Sequence, residues 1–223
     1  MSLTAGSTGI HYAVYGAHDA EEMTGLLADA FSRRDPLALA AGITAAEFTS
    51  FVGTLLPRAA EERLSIVARL KETGEMVGAL LTNDPAFDAG LATAALGRKF
   101  EMVTSILGKL AATYQAGREP APGETLHLYL LGVSDRAAGM GVGQRLIKEA
   151  VAHGTVRGYE VAIAEATNTT SQHIFRKLGF VERVKISYRD HVFDNRHVFA
   201  EIAEHGGPML MERKLSPHHA TKV

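Results

Sequence analysis

The spacing of apolar positions changes several times along the 223 residues. Residues 10–16, IHYAVYG, read as a short strand. Residues 18–31, HDAEEMTGLLADAF, carry acids early and apolar side chains at helical spacing, which predicts a helix. Residues 32–44, SRRDPLALAAGIT, read as a connection, because Pro36 pushes Asp35 out of the helical region. Thr44, with Glu47 three residues on, makes a capping box ahead of a second helix over 44–62. Residues 64–84 predict a hairpin that turns at Thr73-Gly74, and DPAFDAG (84–90) reads as a loop. A further helix over 96–117 and a Pro/Gly linker, REPAPGE, follow. Next come a strand over 125–133, TLHLYLLGV, a glycine turn, and a helix over 143–158. A strand over 159–167 leads into a short helix over 168–179, with Asn168 as N-cap and Gly179 past its end. Strands over 180–190 and within 206–215 close the order. No internal repeat interrupts it. The reading is one mixed α/β domain over residues 1–223, built around a single sheet.

Composition narrows the function classes. Apolar residues make up 46% and charged residues 22%, the balance of a soluble globular chain. A net charge of −2 provides no electrostatic footprint for nucleic acid or an anionic membrane. No run approaches the ~18 apolar residues of a membrane span. The N-terminus lacks a basic segment followed by a long apolar one, so no secretory signal is expected and a cytoplasmic location is. The absence of cysteine removes disulfides, thiolate nucleophiles and sulfur-ligated zinc together. The His- and Asp-rich stretch HVFDNRHVF (191–199) matches no metal-ligand spacing, so no metal site is expected and a substrate-side loop is.

The turn between residues 133 and 143 carries the chemistry. Three glycines at alternate positions, Gly139, Gly141 and Gly143, join a strand directly to an amphipathic helix. The first N–H groups of such a helix have no intrahelical partner, and the dipole adds partial positive charge there. Glycines let a ligand approach the backbone closely. The physical reading is a phosphate or pyrophosphate cradle, against a tight turn with glycines for sterics alone. A Walker loop would need Lys-Ser/Thr where Gln144-Arg145 stand. A dinucleotide fingerprint would need a third glycine where Gln144 stands, although Glu160 has a suitable spacing.

The block LHLYLLGVSDRAAGMGVGQRLIKEA, followed by NTTSQHIFRKLGF, resembles the core of the GCN5-related N-acetyltransferases (GNAT). The resemblance implies a central, mostly antiparallel sheet flanked by helices and acetyl-CoA as co-substrate. It places the family's pyrophosphate loop, Q/R-x-x-G-x-G/A, on Ala138 to Gly143, with Ala138 in the Q/R slot. A register two residues earlier makes Arg136 to Gly141 a formal match. The donor site implied is the end of the strand (Leu131, Val133), the loop (Ala138, Gly139, Gly141) and the helix start (Val142, Gly143, Gln144). The second signature adds Asn168, Ser171 and Phe175. Phe175 stands where many members have the tyrosine that reprotonates the leaving thiolate.

Residues 30–44 resemble a segment of the insect-type arylalkylamine N-acetyltransferases, in which an acidic residue before Pro-Leu acts as general base through water. Asp35 takes that position, and Ser171 matches a serine proposed as acid. Thr167 falls where a further hydroxyl is found. His127 matches a histidine of the vertebrate arylalkylamine enzymes; it alternates with Tyr129 on one face of its strand. The catalytic set expected is therefore Asp35, Ser171 and His127, with Asp35, Tyr129 and Glu165 on the amine. The substrate expected is a small amine of arylalkylamine or polyamine type. The alternatives are a non-catalytic acyl-CoA-binding module, in which Phe175 and Ala138 reflect lost chemistry, and an acetyltransferase of protein or peptide amines. Many relatives dimerise, so a homodimer is an expectation of the resemblance.

Overall fold

The computed structural model describes residues 9–87 and 97–215. Strand β1 (Ile10–Val14) leads into three helices, α1 (Ala20–Arg34), α2 (Pro36–Ala41) and α3 (Ala45–Glu62). A hairpin, β2 (Ile66–Leu70) and β3 (Met76–Asn83), precedes α4 (Arg98–Gln115). Then come β4 (Thr125–Val133), α5 (Val142–Val156), β5 (Val161–Ala166), α6 (Thr169–Lys177), β6 (Val181–Lys185) and β7 (Met209–Lys214). The seven strands form one sheet in the order β1-β2-β3-β4-β5-β7-β6. Only the β4–β5 pair is parallel, so the mixed, mostly antiparallel α/β expectation holds.

Each face of the sheet buries its own core. On one, Leu146 and Ile147 of α5 and Phe175 of α6 pack against Leu126 and Leu128. On the other, Leu27 of α1 and Phe48 and Val52 of α3 pack against Ala79, Leu81 and Leu130. Each such side chain stabilises the fold by roughly 1.5–3 kcal/mol. Helix α1 lies so close to β4 that a Cβ at Gly132 would sit 2.9 Å from Leu26 and 3.0 Å from Leu27. A larger residue there would force the Leu26 and Leu27 side chains to shift.

Two irregularities of β4 make room for a ligand. Its parallel pairing with β5 stops at His127↔Ile163. Beyond that point β4 continues alongside β3 and β5 continues alongside β7, so the sheet splits. A bulge also shifts the β3–β4 register: Leu81 faces Leu130 and Thr82 faces Leu128, which leaves Tyr129 unmatched. The extra residue switches the facing of the strand. Leu128 belongs to the α5-side core, whereas Leu130 belongs to the α1-side core.

Several sequence expectations need correction. The stretch after Arg34 is not a plain connection. Pro36 keeps Asp35 extended (φ −79°, ψ 123°) and then occupies the first turn of α2, where its missing N–H costs nothing. The first helix runs from Ala20 to Arg34, behind a short 3-10 turn at Ala17–Asp19, rather than over 18–31. The strand read over 180–190 ends at Lys185, past a bulge between Glu182 and Val184. From there the chain folds inward so that Tyr188 is fully buried. The loop read over 84–90 is a 3-10 turn at Pro85–Phe87, and its remainder lies outside the described residues, as do residues 1–8. No described helix is long and apolar enough to cross a membrane.

Candidate active site

The split between β4 and β5 opens into a cavity of about 510 Å³. On one side it is bounded by the glycine turn and the start of α5, with Val133, Ala138, Gly139, Gly141 and Gln144 on its wall. Leu131, Val142, Gly143, Asn168, Ser171 and Phe175 complete this side. The other side is bounded by α1, α2, α3, α4 and β5, and contains Asp35, Tyr129 and Glu165. The sequence-predicted donor and amine residues thus gather around one space. His127 does not line it; it lies behind Glu165.

The turn is built as an anion cradle requires. Gly139 (φ 75°) and Gly141 (φ 75°, ψ 10°) both sit in the left-handed region, and Gly141 caps α5. A Cβ at either would meet no protein atom within 4 Å, so the backbone conformation, and not crowding, requires glycine. Arg145 N–H is the first to close onto Gly141 O. The preceding N–H groups at 142–144 are those a helix start leaves without intrahelical partners. Gly143 is helical and a Cβ there would make ordinary contacts with Val133 and Leu131, at 3.6 and 3.7 Å. Arg136, the alternative Q/R residue, is tied to Glu75 at 2.5 Å and does not line the cavity. The register with Ala138 in that slot therefore fits the geometry, and the groups the turn offers to the cavity are backbone N–H groups. The loop is anchored by Arg34, which donates to Val133 O at 2.7 Å and pairs with Asp135.

Asp35 sits at the junction of two helices. Its N–H closes α1 onto Phe31 O, while its Oδ1 accepts from Ala38 N–H at 2.9 Å and caps α2. Its Oδ2 accepts from Thr167 Oγ1 at 2.7 Å, across from the β5–α6 junction. Tyr188 Oη donates to Thr167 O at 2.7 Å and fixes that junction from behind. Burial pushes the Asp35 carboxyl above its ordinary value; the Thr167 hydroxyl and the backbone N–H groups of Ala38 and Leu37 oppose this without cancelling it.

Glu165 behaves oppositely. Its Oε2 lies 2.5 Å from His127 Nε2, and the two side chains are 13% and 10% exposed. Burial pushes this carboxyl up as well, but the charge and hydrogen bond of His127 outweigh it and leave Glu165 below its ordinary value. The His127 ring also lies 5.0 Å from that of Tyr129.

The side of the cavity away from the glycine turn is walled by aromatic rings. Phe31 stacks on Phe48 at 4.9 Å, Phe48 meets Phe51 edge-on at 5.5 Å, and Phe51 lies 5.2 Å from Phe100. Phe100, Val103 and Leu107 of α4 line the cavity, whereas Ile106 and Leu110 face the core. Helix α4 therefore serves both the cavity and the core. The sequence reading passed over Phe31, Phe48 and Phe51, because their helical spacing is also that of ordinary core residues. It likewise missed Arg34 as the anchor of the loop.

Phe175 is buried against Phe180, with ring centroids 5.0 Å apart, and carries no proton donor. Ser171, one helical turn before it, does. Its Oγ donates to Asn168 O at 2.9 Å, while Asn168 Oδ1 accepts from Ser171 N–H at 2.9 Å and caps α6. The His-rich stretch expected at the substrate side contributes no cavity residue. His191 meets Ser105 of α4 at 2.8 Å, and His197 bonds Arg189 O at 2.9 Å.

Comparison with solved structures reveals the same architecture elsewhere. The chain is similar to the C-terminal condensation domain of Ebony, solved with β-alanyl-dopamine, at a TM-score of 0.85 and 12% identity over 93% of this chain and 99% of that one. It is similar to arylalkylamine N-acetyltransferase 2 from Aedes aegypti, at a TM-score of 0.79 and 18% identity over 93% of this chain and 100% of that one. It is also similar to the Drosophila melanogaster polyamine N-acetyltransferase that forms N-acetylagmatine, at a TM-score of 0.74 and 20% identity over 93% and 100%. At these identities the likeness is one of fold. Comparison with curated protein sequences finds no match. The model of the acetyltransferase (GNAT) family matches residues 44–180, more than half of the chain and including both the glycine turn and α6, and the chain belongs to that family of acyltransferases.

Proposed function

We propose that this chain is an acetyl-CoA-dependent N-acetyltransferase that transfers the acetyl group directly to a small amine. The observation that carries this reading is the continuous cavity running from the glycine turn, through the β4–β5 split, to the half-buried Asp35 carboxylate. The backbone around Gly139 and Gly141 would hold the pyrophosphate, and the open edge of β4 up to Val133 offers backbone groups to an extended pantetheine arm. Leu131, Asn168 and Phe175 would flank that arm. The family's co-substrate supplies an activated thioester carbonyl, which a β4 N–H near Val133 would polarise.

Asp35 is the proton acceptor. An alkyl ammonium, by analogy with lysine, is neutral in about one part per thousand at pH 7, a cost of roughly 4 kcal/mol. A base acting directly or through water recovers about 10²–10⁴-fold in rate. Asp35 suits the task because burial raises its carboxyl and Thr167 fixes its orientation. As the N–C bond forms and the S–C bond breaks, one amine proton goes to Asp35 and another to the departing thiolate. Ser171, a cavity hydroxyl one turn from the phenylalanine that cannot donate, would relay the second by giving up its hydrogen bond to Asn168 O. The aromatic wall of Phe31, Phe48, Phe51, Phe100 and Tyr129 suits an acceptor with a ring or a bulky apolar body. The names of two of the similar structures, an arylalkylamine N-acetyltransferase and a polyamine N-acetyltransferase that forms N-acetylagmatine, support trying arylalkylamines and agmatine-like amines first.

The test is release of free thiol from acetyl-CoA against arylalkylamines, polyamines and peptide amines. Release with one small-amine class confirms the reading and names the substrate. Release with peptides alone assigns a peptide acetyltransferase. Binding of acetyl-CoA without release from any amine assigns the sensing module.

A further inference from the structure

Two carboxylates face the acceptor half of the cavity, and their surroundings differ in kind. Asp35 accepts its hydrogen bonds from uncharged donors, the Thr167 hydroxyl and the N-terminal N–H groups of α2, with His205 acting on it only through space. Glu165 is held by an imidazole at 2.5 Å in a place with little water, each side chain being less than 14% exposed. Glu165 and Thr167 stand two residues apart where β5 ends, and both line the cavity. The Thr167-bound Asp35 and the His127-bound Glu165 therefore address the same stretch of it. The other formally charged side chain on the described wall, Arg34, directs its guanidinium to Val133 O and Asp135.

Two acids at one site do different work when their environments separate them. An acid that must take a proton from an ammonium needs an accessible neutral form. An acid that must hold a cation needs to stay ionised while the cation sits beside it. We infer that Glu165, held and oriented by His127, docks the ammonium of the acceptor, and that Asp35 then takes its proton. This rests on the N-acetyltransferase reading above. His127, which does not reach the cavity wall, is a positioning residue rather than a catalytic one.

Steady-state kinetics with two acceptors of one shape test the division. One is an alkylamine protonated at the assay pH; the other is its fluorinated analogue, whose lower pKa leaves it neutral. Glu165→Gln is expected to raise KM for the cationic amine by about 10–100-fold, the range of a lost hydrogen bond to a charged group. Its kcat stays within a few-fold, and KM for the neutral analogue is unchanged. Asp35→Asn shows the converse: kcat falls with the cationic amine and recovers with the neutral one. His127→Gln, which keeps a donor for Glu165, raises KM less than His127→Leu. Should Glu165→Gln not fold, Glu165→Asp keeps the charge one methylene further back and is expected to raise the same KM by a smaller factor. A Glu165 variant that lowers kcat with both amines, or raises KM equally for both, overturns the docking role. A wild-type protein that releases no thiol with any amine overturns the N-acetyltransferase reading, and this inference with it.

Discussion

The half of the cavity proposed for the acyl donor is made of backbone, and the half proposed for the acceptor is made of side chains. The donor half comes from one continuous stretch, the end of β4, the glycine turn and the start of α5, joined by the cap of α6. What it presents are N–H groups, whose positions follow from local dihedral angles. The acceptor half takes Asp35 from the α1–α2 junction, Phe48 and Phe51 from α3, Phe100 from α4, Tyr129 from β4 and Glu165 from β5. Its geometry depends on how six elements pack. A backbone site tolerates changes of side chain as long as the turn keeps its conformation, which is how Ala138 can stand in the Q/R slot. A side-chain site changes its ligand with each substitution. The same fold can therefore keep one donor while its acceptor varies.

The largest effect expected is at Asp35. Asp35→Asn keeps the N-cap, because Asn caps as well as Asp, but removes the proposed base. It is expected to lower kcat by about 10²–10⁴-fold while leaving acetyl-CoA affinity unchanged by calorimetry. A loss of acetyl-CoA binding in this variant would show the two halves to be one structural unit. The same residue sets a pH dependence. Asp35 accepts a proton only when ionised, so kcat falls as pH drops through its pKa. Burial lifts that pKa above 3.8, so the acid limb of the kcat profile lies above the ordinary aspartate range and disappears in Asp35→Asn.

Gly141→Val strikes the donor half alone. A non-glycine residue in the left-handed conformation costs about 1–2 kcal/mol, and the added side chain points into space that no protein atom fills. Acetyl-CoA binding is expected to weaken by about 5–30-fold or more, with the amine KM unchanged at saturating donor. Phe31→Leu is the matching change in the acceptor half. It removes the 4.9 Å stack on Phe48, an interaction of about 0.5–1.5 kcal/mol. A rise of about 2–10-fold in KM for an aryl amine is expected, with acetyl-CoA affinity intact. The smallest change is Tyr188→Phe, which deletes the hydrogen bond to Thr167 O, a net of about 0.5–1.5 kcal/mol. Because Thr167 orients Asp35, kcat is expected to fall a few-fold while both affinities stay. A KM effect instead would mean that the Tyr188 loop shapes the pocket.

Local signals decided how much could be read without coordinates. The capping box at Thr44, the turn at Thr73-Gly74, the strand over 125–133 and the Asn168 cap all depend on residues within three or four positions of one another. So does the glycine turn, which is why its residues line the cavity as anticipated. Asp35 illustrates the limit. Pro36 pushes it out of a helix, as its restriction on the preceding residue predicts, but that same proline starts the next helix, because the cap that begins α2 is the acid itself. Its partner, Thr167, lies 132 positions away. His127 and Glu165 are 38 apart and meet because β4 and β5 run parallel up to His127. No periodicity encodes such pairings. The aromatic wall was visible only as apolar helix positions, and nothing in their spacing separates a ring facing a cavity from one facing the core.

The most direct test of the account is calorimetric titration of acetyl-CoA and CoA into the wild-type protein and Gly141→Val. Saturable binding at one site, weakened in the variant, is the result expected if the turn is the pyrophosphate cradle. Absence of binding to the wild-type protein, or binding that the variant leaves unchanged, would contradict it.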